Sequence, residues 1–245
     1  MEQLTKEQLD EIKQFDGPTI CNALECFNLR SRTDGFCMPR MFPRVMTNDR
    51  LIGYAATAKV SARNPGGPDA PAKQAAYYAQ VREMAKPTIA VIQDIDPQPM
   101  GSFWGEVQAT THMCLGAIGT FTHGGVRDLD EAEKMKFHFF STELVISHCY
   151  IHVVDQGCGV EVAGLTVNPG DLMFGDKHGV VKIPHKAAPR LAAACRAIAD
   201  AELPMLEPCR EAIKKGVMPT ADDLAAWRKN MAKAREAAVA EFKMK

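Results

Sequence analysis

Apolar runs of strand type alternate with helical patterns over the first part of the chain, and this alternation constrains the fold more than any other feature. Residues 51–60, 88–92 and 117–122 have the length and apolar content of buried strands. Residues 72–84 and 105–115, which lie between these runs, are predicted to be helical. A chain that alternates strands with helices folds as an α/β domain, so this is the fold class we expect.

The pattern changes after residue 136, where a last short helix of this alternating region ends. Residues 137–184 are rich in β-type runs that are separated by turns containing glycine and proline. Residues 185–245 are helical. We therefore predict an α/β domain over residues 1–200 and a C-terminal helical extension over residues 201–245, packed on the same domain or on a neighbouring subunit.

Glycine and proline mark the predicted helix boundaries, because proline removes a backbone donor and glycine favours helix ends. Gly17-Pro18 separates the first two helices of the chain. Leu203-Pro204 and the Gly-Val-Met-Pro sequence at 216–219 divide the C-terminal helices.

Composition and charge limit the classes of function. The chain has 29 Lys and Arg against 30 Asp and Glu, a net charge of −1, which leaves no basic excess for nucleic acid or for a membrane surface. No run approaches the roughly 18 apolar residues of a transmembrane helix, and the N-terminus lacks the apolar centre of a signal peptide. We therefore expect a cytoplasmic protein. Its eight cysteines form no C-x-x-C pair, so a zinc ribbon is not expected.

The first segment suited to binding chemistry is Gly101-Ser102-Phe103-Trp104-Gly105-Glu106-Val107-Gln108, at the predicted start of a helix, and its binding residues are expected at Gly105-Glu106-Val107-Gln108. A helix start presents unpaired backbone N–H groups and the positive end of the helix dipole, which together suit a carboxylate or a phosphate. The alternative is a tight turn in which glycine only provides freedom in φ.

The second segment is His123-Gly124-Gly125-Val126-Arg127-Asp128, a predicted turn between a strand and an acidic helix. Its arginine is a fork-shaped donor for carboxylates, and its aspartate is a hard oxygen ligand of the kind that Mg²⁺ or Mn²⁺ binds together with waters.

A structural explanation of the same two residues stays open. In this explanation Asp128 is no more than the N-cap of the following helix. Arg127 then simply forms a surface ion pair with Asp130 or Glu131.

The two segments together resemble the signature of the RraA-like family, which includes 4-hydroxy-4-methyl-2-oxoglutarate aldolases. Members have a Gly-Glu-Leu-like helix start and, about twenty residues later, an Asp-Gly-x-x-Arg-Asp turn. The resemblance covers residues 15–200, with further similarity at residues 51–58 and in the Pro-Gly-Asp sequence at 169–171. The chain departs from the pattern at His123, where members commonly carry Asp.

The resemblance implies a layered α/β sandwich of the swivelling β/β/α type. It also implies a class II, divalent-metal-dependent cleavage of a 4-hydroxy-2-oxo acid, similar to 4-hydroxy-4-methyl-2-oxoglutarate, that releases pyruvate, with oxaloacetate decarboxylation as a side activity. In this interpretation Asp128 holds Mg²⁺ or Mn²⁺ and Arg127 stabilises the developing enolate. The backbone from Gly105 to Gln108 would receive the substrate, and the chain would assemble as a homotrimer or homohexamer.

Two alternatives remain beside this interpretation, and a third is discounted. A Schiff-base aldolase would need a desolvated lysine, for which Lys59 and Lys73 are conceivable. Some RraA-like proteins inhibit a ribonuclease by contact, without catalysis. Relatives have also been labelled methyltransferases, but this chain lacks a Gly-x-Gly-x-Gly loop after its first strand.

Overall fold

The structure, a computed structural model, describes residues 3–47 and 50–244. The chain divides into two compact units. One unit comprises Asp34–His185 and contains all the strands that the structure describes. The other combines Leu4–Thr33 with the segment from Lys186 onward and is helical.

Helices and strands are numbered in chain order. The helices are α1 (Lys6–Ile12), α2 (Gly17–Phe27), α3 (Ala70–Glu83), α4 (Glu106–Cys114), α5 (Leu129–Met135), α6 (Ala188–Lys215) and α7 (Ala221–Phe242). The strands are β1 (Phe42–Val45), β2 (Leu51–Ser61), β3 (Thr88–Asp94), β4 (Ser102–Trp104), β5 (Ala117–Val126), β6 (His138–Leu144), β7 (His152–Gln156), β8 (Val160–Val162), β9 (Leu165–Val167), β10 (Leu172–Asp176) and β11 (Gly179–Ile183).

Nine of these strands form one mixed sheet. Seven of them follow the order β1-β6-β5-β3-β2-β10-β11, and in addition β4 pairs with β5 and β7 pairs with β2. The pairs β2–β3, β3–β5 and β5–β6 are parallel, whereas β1, β7, β10 and β11 are attached in antiparallel fashion. β8 and β9 form a separate antiparallel hairpin. Parallel neighbours need a crossover connection, which explains the alternation of strands and helices in the sequence.

Both faces of the sheet are covered, and β3 shows this residue by residue. Ala90 and Ile92 belong to a buried cluster that also holds side chains of α3, α4 and α5. Ile89 and Val91 point to the opposite face and belong to a cluster with side chains of β8 and β9. Helices, sheet and hairpin therefore form successive layers, which confirms the predicted α/β sandwich of β/β/α type.

The turn predicted at residues 123–125 is wrong, because β5 continues through it to Val126. The register shifts between Thr122 and Gly125, and pairing with β6 then resumes at Gly125 opposite Glu143. The glycines thus accommodate a bulge within a strand rather than a reversal of the chain.

The helical unit differs from prediction at its prolines. Pro204 and Pro208 lie inside α6, so the predicted division at Leu203-Pro204 is wrong. α6 packs against α2 and α7, and we attribute its continuity to this packing, which outweighs the missing backbone hydrogen bonds. α6 ends at a left-handed Gly216, as predicted.

The boundary expected at residue 200 lies within α6. No helix among the residues that the structure describes is long and apolar enough to cross a bilayer.

Candidate functional site

The two segments singled out in the sequence meet because β4 pairs in parallel with the end of β5. Ser102 lies opposite Gly125, and Trp104 lies opposite Val126. The backbone N–H of Arg127 donates to the carbonyl of Trp104 at 3.0 Å. The chain leaves both strands at the same edge of the sheet, so the start of α4 lies beside the residues that follow β5.

Asp128 directly precedes α5 but does not cap it. The residue occupies the N-cap position in a left-handed conformation (φ 54°, ψ 48°) without a side-chain hydrogen bond to its own helix. Instead, its Oδ2 accepts a hydrogen bond from the backbone N–H of Glu106 at 2.9 Å, at the start of α4. The interpretation of Asp128 as a simple N-cap of the following helix is therefore wrong.

Gly105 is needed for its missing side chain and not for freedom in φ. Its backbone is extended, with φ −160° and ψ −169°, a conformation that any residue can adopt. A Cβ at this position would overlap with Oδ2 of Asp128 and would lie 3.2 Å from Nε of Arg127. The glycine thus permits the close approach of the two segments.

Arg127 lies between the Asp128 carboxylate and the loop after β6. Its Nε is 3.8 Å from Oδ2 of Asp128, and its Nη1 donates to the carbonyl of Ile146 at 3.4 Å. Among the described residues, no ion pair joins Arg127 to Asp130 or Glu131, its surface partners in the alternative structural explanation. The guanidinium and the carboxylate are each about one-third exposed, at 36% and 37%, so both are accessible to a small molecule.

A small cavity of about 160 Å³ lies at this junction. Five of the six predicted site residues line it, and Glu106 does not, because only its backbone faces Asp128. Pockets for drug-sized ligands measure about 300–1,000 Å³, so this cavity suits a small acid. The lining residues are Ser102, Phe103, Gly105, Val107, Gln108, Arg127, Asp128, His148 and Ile151.

The first turn of α4 presents backbone donors to this cavity. The N–H of Glu106 is taken by Asp128, and the first intrahelical bond runs from Ala109 to the carbonyl of Gly105. Within the described part of the chain, the N–H groups of Val107 and Gln108 have no acceptor. Unpaired donors at the start of a helix attract an anion.

The wall behind Gln108 is a buried aromatic cluster. The hydroxyl of Tyr78 donates to Oε1 of Gln108 at 3.0 Å, which leaves the amide NH₂ as the free end of that side chain. In the same cluster, Nδ1 of His112 donates to the carbonyl of Gln108, and its Nε2 accepts from the hydroxyl of Tyr77. Burial lowers the pKa of His112 to about 4, so this imidazole is neutral.

His123 lies outside the cavity lining. Its Nε2 donates to the backbone carbonyl of Asp94 at 2.8 Å, and its Nδ1 is buried without a partner among the described residues. Burial raises the pKa of the neighbouring Asp94 carboxyl, which is 3% exposed. His123 therefore bonds β5 to the end of β3 and lies outside the cavity lining.

The donor set fits a divalent cation that keeps most of its waters. The described residues contain no group of three or more His, Cys, Asp and Glu arranged to hold a metal ion, so a closed protein cage does not form. Oδ1 of Asp128 has no hydrogen-bond partner in this part of the chain, and its side chain is accessible. Mg²⁺ commonly binds through one or two carboxylates with waters and substrate oxygens completing its shell.

Four lining residues, Ser102, Phe103, His148 and Ile151, were not among the predicted site residues, although the first two lie within the singled-out segment 101–108. The first two lie in β4, a strand that is too short to be recognised from its pattern. The other two lie in or next to an irregular loop that returns to the site from β6, and no local sequence signal places such a loop.

The fold and the site are those of the RraA-like (Aldolase/RraA) family, and the sequence model of this family matches residues 17–182 of the chain. The chain belongs to this family. Both aldolases and RraA-type regulators fall within it, and the match covers the whole site.

Two relatives illustrate the range of similarity. A putative 4-hydroxy-4-methyl-2-oxoglutarate aldolase from Halalkalibacterium halodurans is 23% identical over 184 residues, which cover 74% of this chain and 80% of that protein. Protein DlpA from Legionella pneumophila is 28% identical over 138 residues, or 56% of this chain. That match spans only 22% of DlpA, about a fifth of its length.

Solved structures share the fold. An uncharacterized protein from Pseudomonas syringae pv. tomato superposes with a TM-score of 0.67 at 20% identity, with 96% of each chain covered. RraAS2 from Streptomyces coelicolor, described as an unusual member of the RNase ES inhibitor RraA family, superposes with a TM-score of 0.64 at 17% identity, over 80% of this chain and 93% of its own. At such identities the likeness concerns the fold alone.

Proposed function

We propose that this chain is a class II pyruvate aldolase, a carbon–carbon lyase that cleaves a 4-hydroxy-2-oxo acid. The observation that carries the proposal is the Asp128 carboxylate, which lies against both the start of α4 and the Arg127 guanidinium in one small cavity. A named aldolase among the relatives supports the same chemistry. The substrate that we propose is an acid similar to 4-hydroxy-4-methyl-2-oxoglutarate.

The N–H groups of Val107 and Gln108 would bind the C1 carboxylate, because they are the free donors at the start of α4. Arg127 would donate to the 2-oxo oxygen, where negative charge develops as the C3–C4 bond breaks. A guanidinium stays protonated throughout, so it stabilises this charge without transferring a proton.

Asp128 would hold a Mg²⁺ or Mn²⁺ ion through its free carboxylate oxygen. When bound, such an ion supplies a Lewis acid that withdraws electrons from the 2-oxo group. Among the described residues no lysine lines the cavity, so neither Lys59 nor Lys73 is in a position to form a Schiff base there.

A pyruvate-release assay tests the proposal, run on a panel of 4-hydroxy-2-oxo acids and oxaloacetate with and without Mg²⁺ or Mn²⁺. We expect metal-dependent pyruvate release that EDTA abolishes and that borohydride does not trap. If no acid of the panel released pyruvate with either metal, the proposal would be overturned. That result would favour a non-catalytic regulator of the kind that the family also contains. Turnover that survives EDTA would overturn the metal assignment alone.

We also propose that the chain forms a homotrimer or homohexamer. Val107 and Ile146, which lie at and beside the cavity, are 77% and 92% exposed, an unusual exposure for large apolar side chains at a site. Light scattering on the purified protein measures the mass, and a monomer would contradict this part of the proposal.

A further inference from the structure

His148 lies on the loop between β6 and β7, and its neighbours in the chain bond to the start of β4 and to the segment before it. The carbonyl of Ser147 accepts a hydrogen bond from the backbone N–H of Ser102 at 2.8 Å. Sγ of Cys149 donates to the carbonyl of Met100 at 3.0 Å. Contacts on both sides of His148 therefore fix the backbone from which its ring projects.

Two further features hold this loop at the cavity. A Cβ on Gly101 would lie 2.6 Å from the carbonyl oxygen of His148, so only glycine allows the loop to pack this closely. Nη1 of Arg127 donates to the carbonyl of Ile146. The loop is thus bonded to the arginine that lies beside Asp128, and His148 lines the same cavity.

The hydrogen bond of the His148 ring determines which nitrogen is free. Nδ1 lies 2.7 Å from the carbonyl of Cys149, and a carbonyl can only accept, so Nδ1 carries the proton. In the neutral ring Nε2 then has a free lone pair, and no described residue donates to it. The second nitrogen is therefore a ready proton acceptor at the rim of the cavity.

The other lining side chains are poor candidates for this role. Arg127 stays protonated, and Ser102 donates its hydroxyl to backbone carbonyls. Asp128 accepts a hydrogen bond from the N–H of Glu106 through Oδ2, and the proposed function assigns its other oxygen to the metal ion.

We propose that His148 is the general base of the cleavage, an inference that rests on the proposed aldolase function. Nε2 takes the proton of the C4 hydroxyl, and the O–H electron pair forms the new C4=O bond. The C3–C4 bond breaks, and its electron pair passes into the pyruvate enolate beside Arg127. The imidazolium then returns the proton to C3, which yields pyruvate and regenerates neutral His148.

A comparison of aldol cleavage with oxaloacetate decarboxylation distinguishes the role of His148 from the roles of Arg127 and Asp128. Loss of CO₂ from oxaloacetate forms the same enolate but requires no proton to be taken from a hydroxyl. We expect His148→Ala to lower kcat of aldol cleavage by about 10²–10⁴-fold, the usual contribution of a general base, while decarboxylation changes by less than about threefold. Added imidazole should restore part of the cleavage rate, since the ring is exposed.

His152→Ala is the matched control. Nδ1 of His152 also binds a carbonyl of its own segment, that of Tyr150 at 2.9 Å, but the residue does not line the cavity. We expect both activities of this variant to stay near those of the parent.

Four outcomes decide the proposal. A selective and imidazole-rescued loss of cleavage supports it. Equal losses of cleavage and decarboxylation would assign His148 a structural role and overturn it, as would undiminished cleavage. A parent protein without either activity would overturn the proposed function, and the role of His148 with it.

Discussion

The carboxylate of Asp128 caps the helix that begins at Glu106, 22 residues earlier in the chain, through a hydrogen bond of 2.9 Å to its backbone N–H. One side chain therefore joins two elements and also presents its other oxygen to the cavity. Its structural and chemical roles can be separated by mutation, because an amide keeps the acceptor but lacks the charge.

Asp128→Asn should retain stability and lose activity. The Asn oxygen can still accept from Glu106, but a neutral amide is a poor ligand for a divalent cation. We expect pyruvate release to fall by at least about 10²-fold, while the free energy of unfolding changes by less than about 0.5 kcal/mol. Asp128→Ala, which loses the cap as well, should also be destabilised by about 1 kcal/mol. Urea unfolding and the pyruvate assay measure the two effects, and near-normal turnover by either variant would contradict the role of Asp128.

Gly105→Ala should damage both the fold and the site. The added methyl group would overlap with Oδ2 of Asp128, so the carboxylate or the start of α4 must move. Overpacking of this kind costs about 1–3 kcal/mol, and a shifted carboxylate should reduce activity by more than tenfold. Gly67→Ala is the control, because its added Cβ would meet only the flexible Asp69 side chain. Equal behaviour of the two variants would show that the close approach is not required.

His112 should make stability fall in mild acid. Burial lowers its pKa in the folded state to about 4 from 6.5, so below pH 6.5 the unfolded chain binds a proton that the folded chain does not. Stability is then lost progressively as the pH falls from about 6.5 to about 4, by up to about 3 kcal/mol. Asp94 acts in the opposite direction, since burial raises its pKa.

The difference in unfolding free energy between the parent and His112→Phe isolates the histidine. Phenylalanine should pack among Tyr77, Tyr78 and Trp104, whose rings surround the site of the imidazole. We expect the parent to lose stability relative to the variant between pH 6.5 and 4. A constant difference over that interval would refute the buried neutral histidine.

Tyr78→Phe should affect substrate binding more than turnover. The variant keeps the ring but removes the hydroxyl that orients the Gln108 amide. A neutral hydrogen bond contributes about 0.5–1.5 kcal/mol, so we expect KM to rise by up to about tenfold with kcat little changed. Steady-state kinetics provide the test, with the exposed Tyr150→Phe as control. A loss confined to kcat would contradict this role.

Much of the fold follows from local patterns in the sequence. Ile89 and Val91 alternate with Ala90 and Ile92 between two buried faces, so the apolar run of β3 identifies a covered strand without knowledge of its neighbours. Glycine at 216 ends a helix for local steric reasons. Pro204 shows the limit of such rules, because tertiary packing carries α6 past a residue that usually stops a helix.

The candidate site also has features that the sequence predicts and features that depend on the tertiary structure. Residue type marked Gly105, Arg127 and Asp128 as candidates, because the chemistry of an arginine, a carboxylate and a helix start is local, and the resemblance to the RraA-like family implied their roles. Only the tertiary structure decided which helix Asp128 caps, that His123 lies outside the cavity lining, and that His148 lines the cavity. Each of these depends on strand pairing or loop packing between residues far apart in the chain. Sequence periodicity is local and does not indicate such contacts, whereas the chemistry of a side chain is fixed by the residue type alone.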